Sequence, residues 1–173
     1  MGGMKRKKNI LEGDKKEKPF HSRGMSTCQA LLDMNYLGVK CPISFDYVYN
    51  PIGKYSSWWS SYVGLLARTK IDIFKYRNWR KVEAPLKGKL WKAIVERFDI
   101  DHDDLPTLRK KWISRLGERW KDFKAKLSRD YVFGELKHCD PRIKYTFISE
   151  ASWKGFYDQK LADQASVRIL FKL

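Results

Sequence analysis

The stretch LRKKWISRLGERWKDFKAKLSRDY, residues 108–131, combines a helical apolar pattern with a dense basic charge. Its apolar side chains fall within one arc when successive residues are placed 100° apart, which is the pattern of an amphipathic helix. The residues of that arc are Leu108, Trp112, Leu116, Trp120, Phe123 and Leu127. We therefore predict a long helix whose tryptophans belong to the core of the protein.

Basic side chains lie on both sides of this apolar arc, nine Lys and Arg against three Asp and Glu in the same stretch. One side carries Lys111, Arg115, Arg119, Lys126 and Arg129, and the other carries Lys110, Lys121 and Lys124. A run of charges on a helix is commonly only a solvated face. Two interpretations therefore stay open at this point, a solvated face and a surface that meets an acidic partner.

The charge of the whole chain favours the acidic partner. The sequence has 36 Lys and Arg against 20 Asp and Glu, a formal net charge of +16 over 173 residues, which exceeds what solubility requires. Nucleic acid is the commonest polyanion, because clustered Lys and Arg release the condensed counterions of its phosphate backbone. A membrane surface needs a basic helix with a free apolar face, whereas apolar faces recur here in several segments that can cover one another. We therefore predict nucleic acid as the partner and no membrane.

Length and aromatic content predict one folded domain behind a basic tail. An aromatic content of 14% is higher than that of disordered chains, and 173 residues suffice for one modest core. Residues 1–24 show no sustained period and are predicted to be a disordered basic tail, and residues 25–168 a helical domain. The tail contains a basic run, Lys5, Arg6, Lys7 and Lys8, which is either a candidate nuclear-import signal or an additional phosphate-binding arm. No apolar run of membrane-spanning or secretory length occurs, and three scattered cysteines suit a reducing compartment.

The remaining segments predict further helices joined by turns. Helices are expected at residues 27–34, 56–69, 85–98 and 150–165, an extended piece at residues 43–49, and an acidic turn at residues 99–104. Ser57 and Ser149 are the predicted N-caps of the second and the last of these helices. The faces predicted to be buried consist of Trp58, Tyr62, Leu65 and Leu66, then Leu86, Leu90, Trp91, Ile94 and Phe98, and finally Trp153, Phe156, Tyr157 and Leu161. The predicted fold is a mainly α-helical domain of about four to five helices with a tryptophan-rich core.

Motifs for catalysis, metal binding and nucleotide binding are missing from the sequence. The stretch that begins at Asp99 has Asp at the first, third and fifth positions of a calcium loop, but Asp104 replaces the required Gly and Lys110 the closing Glu. His138 and Cys139 have no partners at zinc-binding spacing. Neither a glycine-rich phosphate loop nor a nucleophile elbow is present. We expect a non-catalytic protein with no cofactor, no metal and no small-molecule ligand.

Four blocks of sequence, in a distinctive order, carry a resemblance to a known family. They are IGKYSSWWSSYVGLLARTKIDI, NWRKVEAPLKGKLWKAIVERFDID, RKKWISRLGERWKDFKAKLSRDYVF and RIKYTFISEASWKGFYDQKL. Together they resemble the plant transposase family associated with Ptta/En/Spm, or CACTA-type, transposable elements, over about residues 50–163. Residues 169–173 diverge from the polar helical segment that usually follows the last block, which suggests a truncated or degenerate copy.

The resemblance implies a mobile-element-derived plant protein that resides in the nucleus and binds DNA. It corresponds to an accessory, non-catalytic region of such elements, and no DDE catalytic core is recognised in these residues. Its implied partners are double-stranded DNA and other transposase-related proteins.

The predicted function is binding of double-stranded DNA, chiefly by contacts to phosphate groups. The residues predicted to make these contacts are Lys110, Lys111, Arg115, Arg119, Lys121, Lys126 and Arg129. Because they lie on both sides of one helix, a single side is expected to face the DNA. The alternatives are a protein–protein interaction module and a non-functional remnant of a transposase-associated protein.

Overall fold

The structure is a computed structural model that describes residues 28–170, with side chains described up to residue 166. Within this range the elements are α1 (Gln29–Tyr36), β1 (Cys41–Phe45), β2 (Pro51–Ile52), α2 (Ser56–Thr69), α3 (Ala84–Val95), β3 (Phe98–Asp101), α4 (Leu105–Leu127) and α5 (Glu150–Leu170). Single 3-10 turns at Trp79–Lys81 and Pro141–Ile143, and a π turn at Ser128–Val132, complete this part of the chain. The prediction of a mainly α-helical fold with four to five helices is confirmed. The predicted tail and its nuclear-import signal lie outside the described residues.

Helix α4 begins at Leu105, before the stretch that predicted it, and ends at Leu127, where a π turn takes over. Asp104 is its N-cap, because the Asp104 side chain accepts a hydrogen bond of 3.0 Å from the backbone N–H of Thr107. Pro106 lies in the first turn, where its missing N–H would have no partner. All six residues of the predicted apolar arc are buried, which confirms that the tryptophans of this helix are core residues.

The apolar face of α4 packs against two hydrophobic clusters, one after the other along the helix. Its first half packs into a cluster built mainly from α1, α2, α3 and the sheet, where Leu108 and Leu116 are each 0% exposed. Its last turns, through Phe123 and Leu127, pack into a second cluster with the π turn, the loop after it and Phe156 of α5. Burying a side chain such as Leu contributes roughly 1.5–3 kcal/mol. Helix α4 therefore contributes buried side chains to both clusters.

A three-stranded sheet of order β2-β1-β3 lies beside the helices. Of this sheet the sequence analysis predicted only an extended piece at residues 43–49, which overlaps β1 at residues 43–45. Strands β1 and β3 are parallel, with Cys41 opposite Phe98, and β1 and β2 are antiparallel. The predicted acidic turn at residues 99–104 is therefore wrong in its first half, and the predicted helix at residues 85–98 ends early, at Val95. The physical reason is the pairing with β1, which buries Phe98 to 1% exposure and leaves the alternating aspartates of the strand outside.

Helix α2 has the predicted bounds but presents a different face to the core. Trp59 is 0% exposed, whereas Trp58, placed on the buried face by the sequence, is only half-buried. The ring of Trp59 makes edge contacts with Phe45, Phe98 and Trp112 at centroid distances of 5.0, 5.0 and 5.4 Å. The predicted cap Ser57 is also wrong, because Tyr55 is the N-cap and makes no side-chain cap hydrogen bond.

Helix α5 begins as predicted and continues beyond the predicted end. The Ser149 hydroxyl accepts a hydrogen bond of 3.1 Å from the backbone N–H of Ser152, which confirms Ser149 as the cap. Phe156 is 0% exposed, as predicted, but Leu161 is 41% exposed and lies outside the core. The helix extends to Leu170, so part of the segment predicted to diverge belongs to it.

Replacing Gly117 and Gly88 with alanine is expected to change the stability of the protein in opposite directions. A Cβ atom at Gly117 of α4 would lie 2.6 Å from the ring of Trp79, whereas a Cβ at Gly88 of α3 would meet nothing within 4 Å. Alanine is favoured over glycine in a helix by about 1 kcal/mol, but overpacking costs about 1–3 kcal/mol. We therefore expect Gly88→Ala to raise the free energy of unfolding by up to about 1 kcal/mol and Gly117→Ala to lower it by up to about 2 kcal/mol.

Urea unfolding of the two variants and the wild-type chain measures both effects. Gly88→Ala is the matched control, because it makes the same chemical change in a helix without the steric contact. Equal stabilisation by the two substitutions would contradict the packing of Trp79 against α4.

Candidate nucleic-acid interface

The seven side chains predicted to contact DNA all lie on the outer surface of α4 and the turn that follows it. Six of them are exposed, and Lys111 is half-buried. Trp112 and Trp120, which are interspersed among them in the sequence, are only 7% and 2% exposed. The helix therefore separates its aromatic and basic residues onto different faces, and no tryptophan of α4 is available to stack on a base.

Four of the seven side chains already have partners within the protein. Lys111 donates a hydrogen bond to the carbonyl oxygen of Val48. The other contacts are those of Arg115 with Glu118 at 2.8 Å, of Lys126 with Asp130 at 3.6 Å and of Arg129 with Asp130 at 2.9 Å. Exposed ion pairs of this kind contribute only about 0–1 kcal/mol each. They reduce the local positive charge without fixing these side chains in place.

Three of the seven, Lys110, Arg119 and Lys121, take part in no ion pair within residues 28–166. Arg119 lies on the side of α4 that also carries Arg115. Lys110 and Lys121 lie on the opposite side, eleven residues apart. At 1.5 Å per residue their Cα atoms are separated by roughly 16 Å along the helix axis. The two sides of α4 thus differ, because one is largely paired with acids and the other is not.

Trp79 packs on α4 between Lys110 and Lys121. Gly117 follows Lys110 by seven residues and precedes Lys121 by four, so the three share one side of the helix, and the ring of Trp79 covers Gly117. Asn78 caps the 3-10 turn of Trp79, because its side chain accepts a hydrogen bond of 3.2 Å from the backbone N–H of Lys81. The absence of a side chain at Gly117 is what allows this close approach.

The residues around Trp79 form a basic surface that the sequence analysis did not predict. The ammonium group of Lys87 lies 5.0 Å from the centroid of the Trp79 ring, and Arg80 and Lys81 in the same 3-10 turn are exposed. We call the following set the Trp79 surface: Arg80, Lys81, Lys87, Lys110 and Lys121. None of the five takes part in an ion pair with another described residue. The available clues were the run WRK and a glycine in the middle of a long helix, and neither shows that the two segments meet.

Lys124, also on this side of α4, is a structural residue. Its ammonium group donates a hydrogen bond of 3.0 Å to the carbonyl oxygen of Tyr76 and lies 4.2 Å from the centroid of the Trp120 ring. The pKa of Lys124 is lowered to about 8, mainly by burial and also by the charges of Lys160 and Arg77, while the charge of Asp72 opposes the shift. This cation is therefore held inside the structure and is poorly placed to meet a phosphate.

The described residues contain no cluster suited to metal chemistry. Within residues 28–170, no group of three or more His, Cys, Asp or Glu side chains is arranged to hold a metal ion. Asp99 and Asp101, which begin the calcium-loop pattern, belong to strand β3. In the same range no helix is both long and apolar enough to cross a bilayer.

Comparisons with known proteins give no match. Neither a protein-family model, nor a curated protein, nor a solved structure matches this chain. The similarity to transposase-associated proteins therefore stays a prediction from the four sequence blocks, and function has to be argued from the surface itself.

Replacing Lys124 with methionine is expected to change how stability depends on pH. The pKa of Lys124 is about 8 in the folded protein, and a lysine in an unfolded chain has a pKa of about 10.4. Below pH 8 the folded state holds the Lys124 cation only partly solvated. Between the two pKa values, about 8 and about 10.4, the unfolded state binds more protons than the folded state, so the wild type gains stability as pH rises. The free energy of unfolding of Lys124→Met, minus that of the wild type, should fall as pH rises from 7 to 10.

Urea unfolding at pH 7, 8.5 and 10 measures this difference. Lys121→Met, which removes an exposed cation three residues away, controls for the change in total charge. A difference that stays constant with pH after this correction would contradict the buried position of the ammonium group.

Proposed function

We propose that this chain binds double-stranded DNA without catalysing a reaction, as the nuclear product of a plant transposon-related gene. The observation that carries the proposal is the separation of faces on α4, where the apolar residues are buried and three exposed cations have no acidic partner among the described residues. The net charge of +16 supports it, because such an excess attracts a polyanion over the whole surface. The proposed partners are duplex DNA and other transposase-related proteins.

The Trp79 surface is the side of α4 that we propose meets the DNA. Its five cations come from α3, α4 and the 3-10 turn, and no acid of the described residues pairs with any of them. Packing of Trp79 on Gly117 and on Trp120, at a centroid distance of 6.4 Å, joins the turn to the helix. A surface held in this way orders its cations before binding, which reduces the entropy lost on association.

The chemistry of the surface favours phosphate groups over bases as its targets. Lys and Arg contacts to phosphates position a protein on DNA and carry no sequence information. Four of the five side chains of the Trp79 surface are exposed, and the indole ring among them has Lys87 over its face and α4 beneath it. Binding is therefore expected to be driven by counterion release and to depend little on sequence.

The buried apolar face of α4 argues against a membrane surface as the partner. A helix that binds a bilayer inserts its apolar side into the region between head groups and acyl chains. In α4 that side is occupied by the two hydrophobic clusters, and Leu116 and Leu127 are each 0% exposed. Insertion would require the fold to open.

Salt dependence of DNA binding tests the proposal. We expect fluorescence anisotropy with a random-sequence duplex to show affinity that falls linearly on a log–log plot against salt concentration. Each phosphate contact contributes about 0.9 to the slope, so the double variant Lys110→Ala/Lys121→Ala should reduce the slope by about 1.8.

The matched control removes two cations from the other side of α4. Lys126→Ala/Arg129→Ala makes the same change in net charge, but both side chains contact Asp130 in the protein. Its slope should stay close to that of the wild type. A folded wild-type chain that shows no binding at low salt would contradict the proposed function, and an equal effect of both double variants would contradict the choice of side.

Protein interaction is a second candidate function, which exposed apolar residues favour. Tyr36 and Leu37 at the end of α1 are 90% and 77% exposed, and Tyr47 between β1 and β2 is 92% exposed. Aromatic residues are enriched at protein interfaces, and an apolar interface is nearly insensitive to salt. Partner binding that persists at high salt and is lost in Tyr36→Ser or Tyr47→Ser would favour this candidate.

A further inference from the structure

Arg68, near the end of α2, is a half-buried cation that has no hydrogen-bond or ion-pair partner among the described residues. Its Nε atom is buried and has no acceptor there, and no ion pair within residues 28–166 includes this side chain. The guanidinium lies back along the helix, where a Cβ atom at Gly64 would be 3.3 Å from its Nη1 atom. An arginine in this position keeps N–H donors that can bind an anion.

The surroundings of Arg68 add positive charge. Burial lowers the pKa of Arg68, and the positive charge of Arg119 of α4 lowers it further, whereas Cys28 and Tyr145 would raise it only in their ionised forms. Arg119 takes part in no ion pair in the described part of the chain, and Lys70 follows α2 with its side chain exposed. The region around Arg68 is therefore positively charged, which favours an anion.

Arg68 lines a pocket between the end of α2 and the start of α5. The pocket has a volume of about 230 Å³ and is bounded by residues 68–73 on one side and by residues 147–149 and Ser152 on the other. About 10–15 Å³ of such space is enough for one water molecule, so the pocket has room for a tetrahedral oxyanion. Lys70, which lines the pocket together with Arg68, is exposed to solvent.

The one acid that lines the pocket is engaged elsewhere. Asp72 accepts hydrogen bonds of 2.7 Å from the backbone N–H groups of Phe74 and Lys75, and its other oxygen accepts one from the Ser152 hydroxyl. Burial raises the pKa of Asp72, but these hydrogen bonds outweigh burial and hold the pKa below its usual range. Asp72 thus joins the loop to α5 and forms no ion pair with Arg68.

We propose that the pocket between α2 and α5 binds a phosphate group, held by the guanidinium of Arg68 and the ammonium of Lys70. The guanidinium offers several N–H donors in a planar fork, which matches two oxygens of a phosphate. The phosphate belongs either to the DNA backbone or to a free phosphorylated molecule. The proposal does not depend on the Trp79 surface, which lies around Gly117 on the other side of α4 from Arg119.

Orthophosphate is the probe that tests the site directly. Thermal unfolding is followed across a phosphate series, with sodium chloride at matched ionic strength as the reference, in the wild type, Arg68→Met and Lys89→Met, which removes an exposed cation of α3. A tenfold excess of phosphate over its Kd raises the folded-to-unfolded ratio about 11-fold. We expect this saturable effect in the wild type and in Lys89→Met and its loss in Arg68→Met. An equal response to phosphate and chloride in the wild type, or an unchanged response in Arg68→Met, would overturn the proposal.

A measurement on the wild-type chain covers the case in which Arg68→Met does not fold. In the ¹⁵N–¹H spectrum the Nε–H resonance of Arg68 is expected to shift and saturate with phosphate and to stay in place with chloride. A resonance that does not move with phosphate would overturn the proposal on its own.

DNA binding of Arg68→Met then separates the two sources of phosphate. Given phosphate binding by the wild type, weaker DNA binding by the variant supports a backbone phosphate as the occupant. Unchanged DNA binding supports a free phosphorylated molecule. A chain that binds orthophosphate and no DNA retains this site while the proposed function fails, so the two proposals fail independently.

Discussion

The packing of one face of α4 between two hydrophobic clusters is the constraint on which the rest of the structure depends. Leu108 and Leu116 are buried in the first cluster and Leu127 in the second, each at 0% exposure. Because six large side chains of the helix are buried in the core, its Lys and Arg residues lie on the other faces of the helix. The rotation of α4 about its axis is therefore fixed by apolar packing, and the positions of its cations follow from it.

The Lys and Arg residues of α4 differ in their surroundings and therefore in the roles open to them. On one side of α4 three of the cations contact Glu118 or Asp130. On the other side Lys110 and Lys121 border Trp79 and have no acidic partner within residues 28–166, and Lys124 is partly buried. Paired cations on a surface attract a polyanion less than unpaired ones of equal exposure, because the adjacent carboxylates repel phosphates. Net charge alone gives no information about this division, since it depends on which acids lie within reach.

The sequence predicts the parts of this structure that depend on local periodicity and capping. The apolar arc of α4, the bounds of α2 and the cap Ser149 depend on residues within one or two turns of each other. Strand β3 pairs with β1, 57 residues earlier where Cys41 faces Phe98, and a four-residue strand between two helices has too weak a pattern to be recognised alone. The Trp79 surface and the position of Arg68 depend in the same way on contacts between distant segments, which no local pattern contains.

The central claim is that α4 uses one face for the core and another for a polyanion. A ¹⁵N–¹H titration with a random-sequence duplex tests it most directly, because it observes lysine ammonium, arginine and tryptophan indole groups together. The account predicts that the side-chain resonances of Lys110 and Lys121 shift on addition of DNA. It also predicts that the indole N–H resonances of Trp112 and Trp120 stay in place. Shifts of these two indoles at least as large as those of the two lysines would contradict it, because the aromatic face would then be the one that meets the DNA.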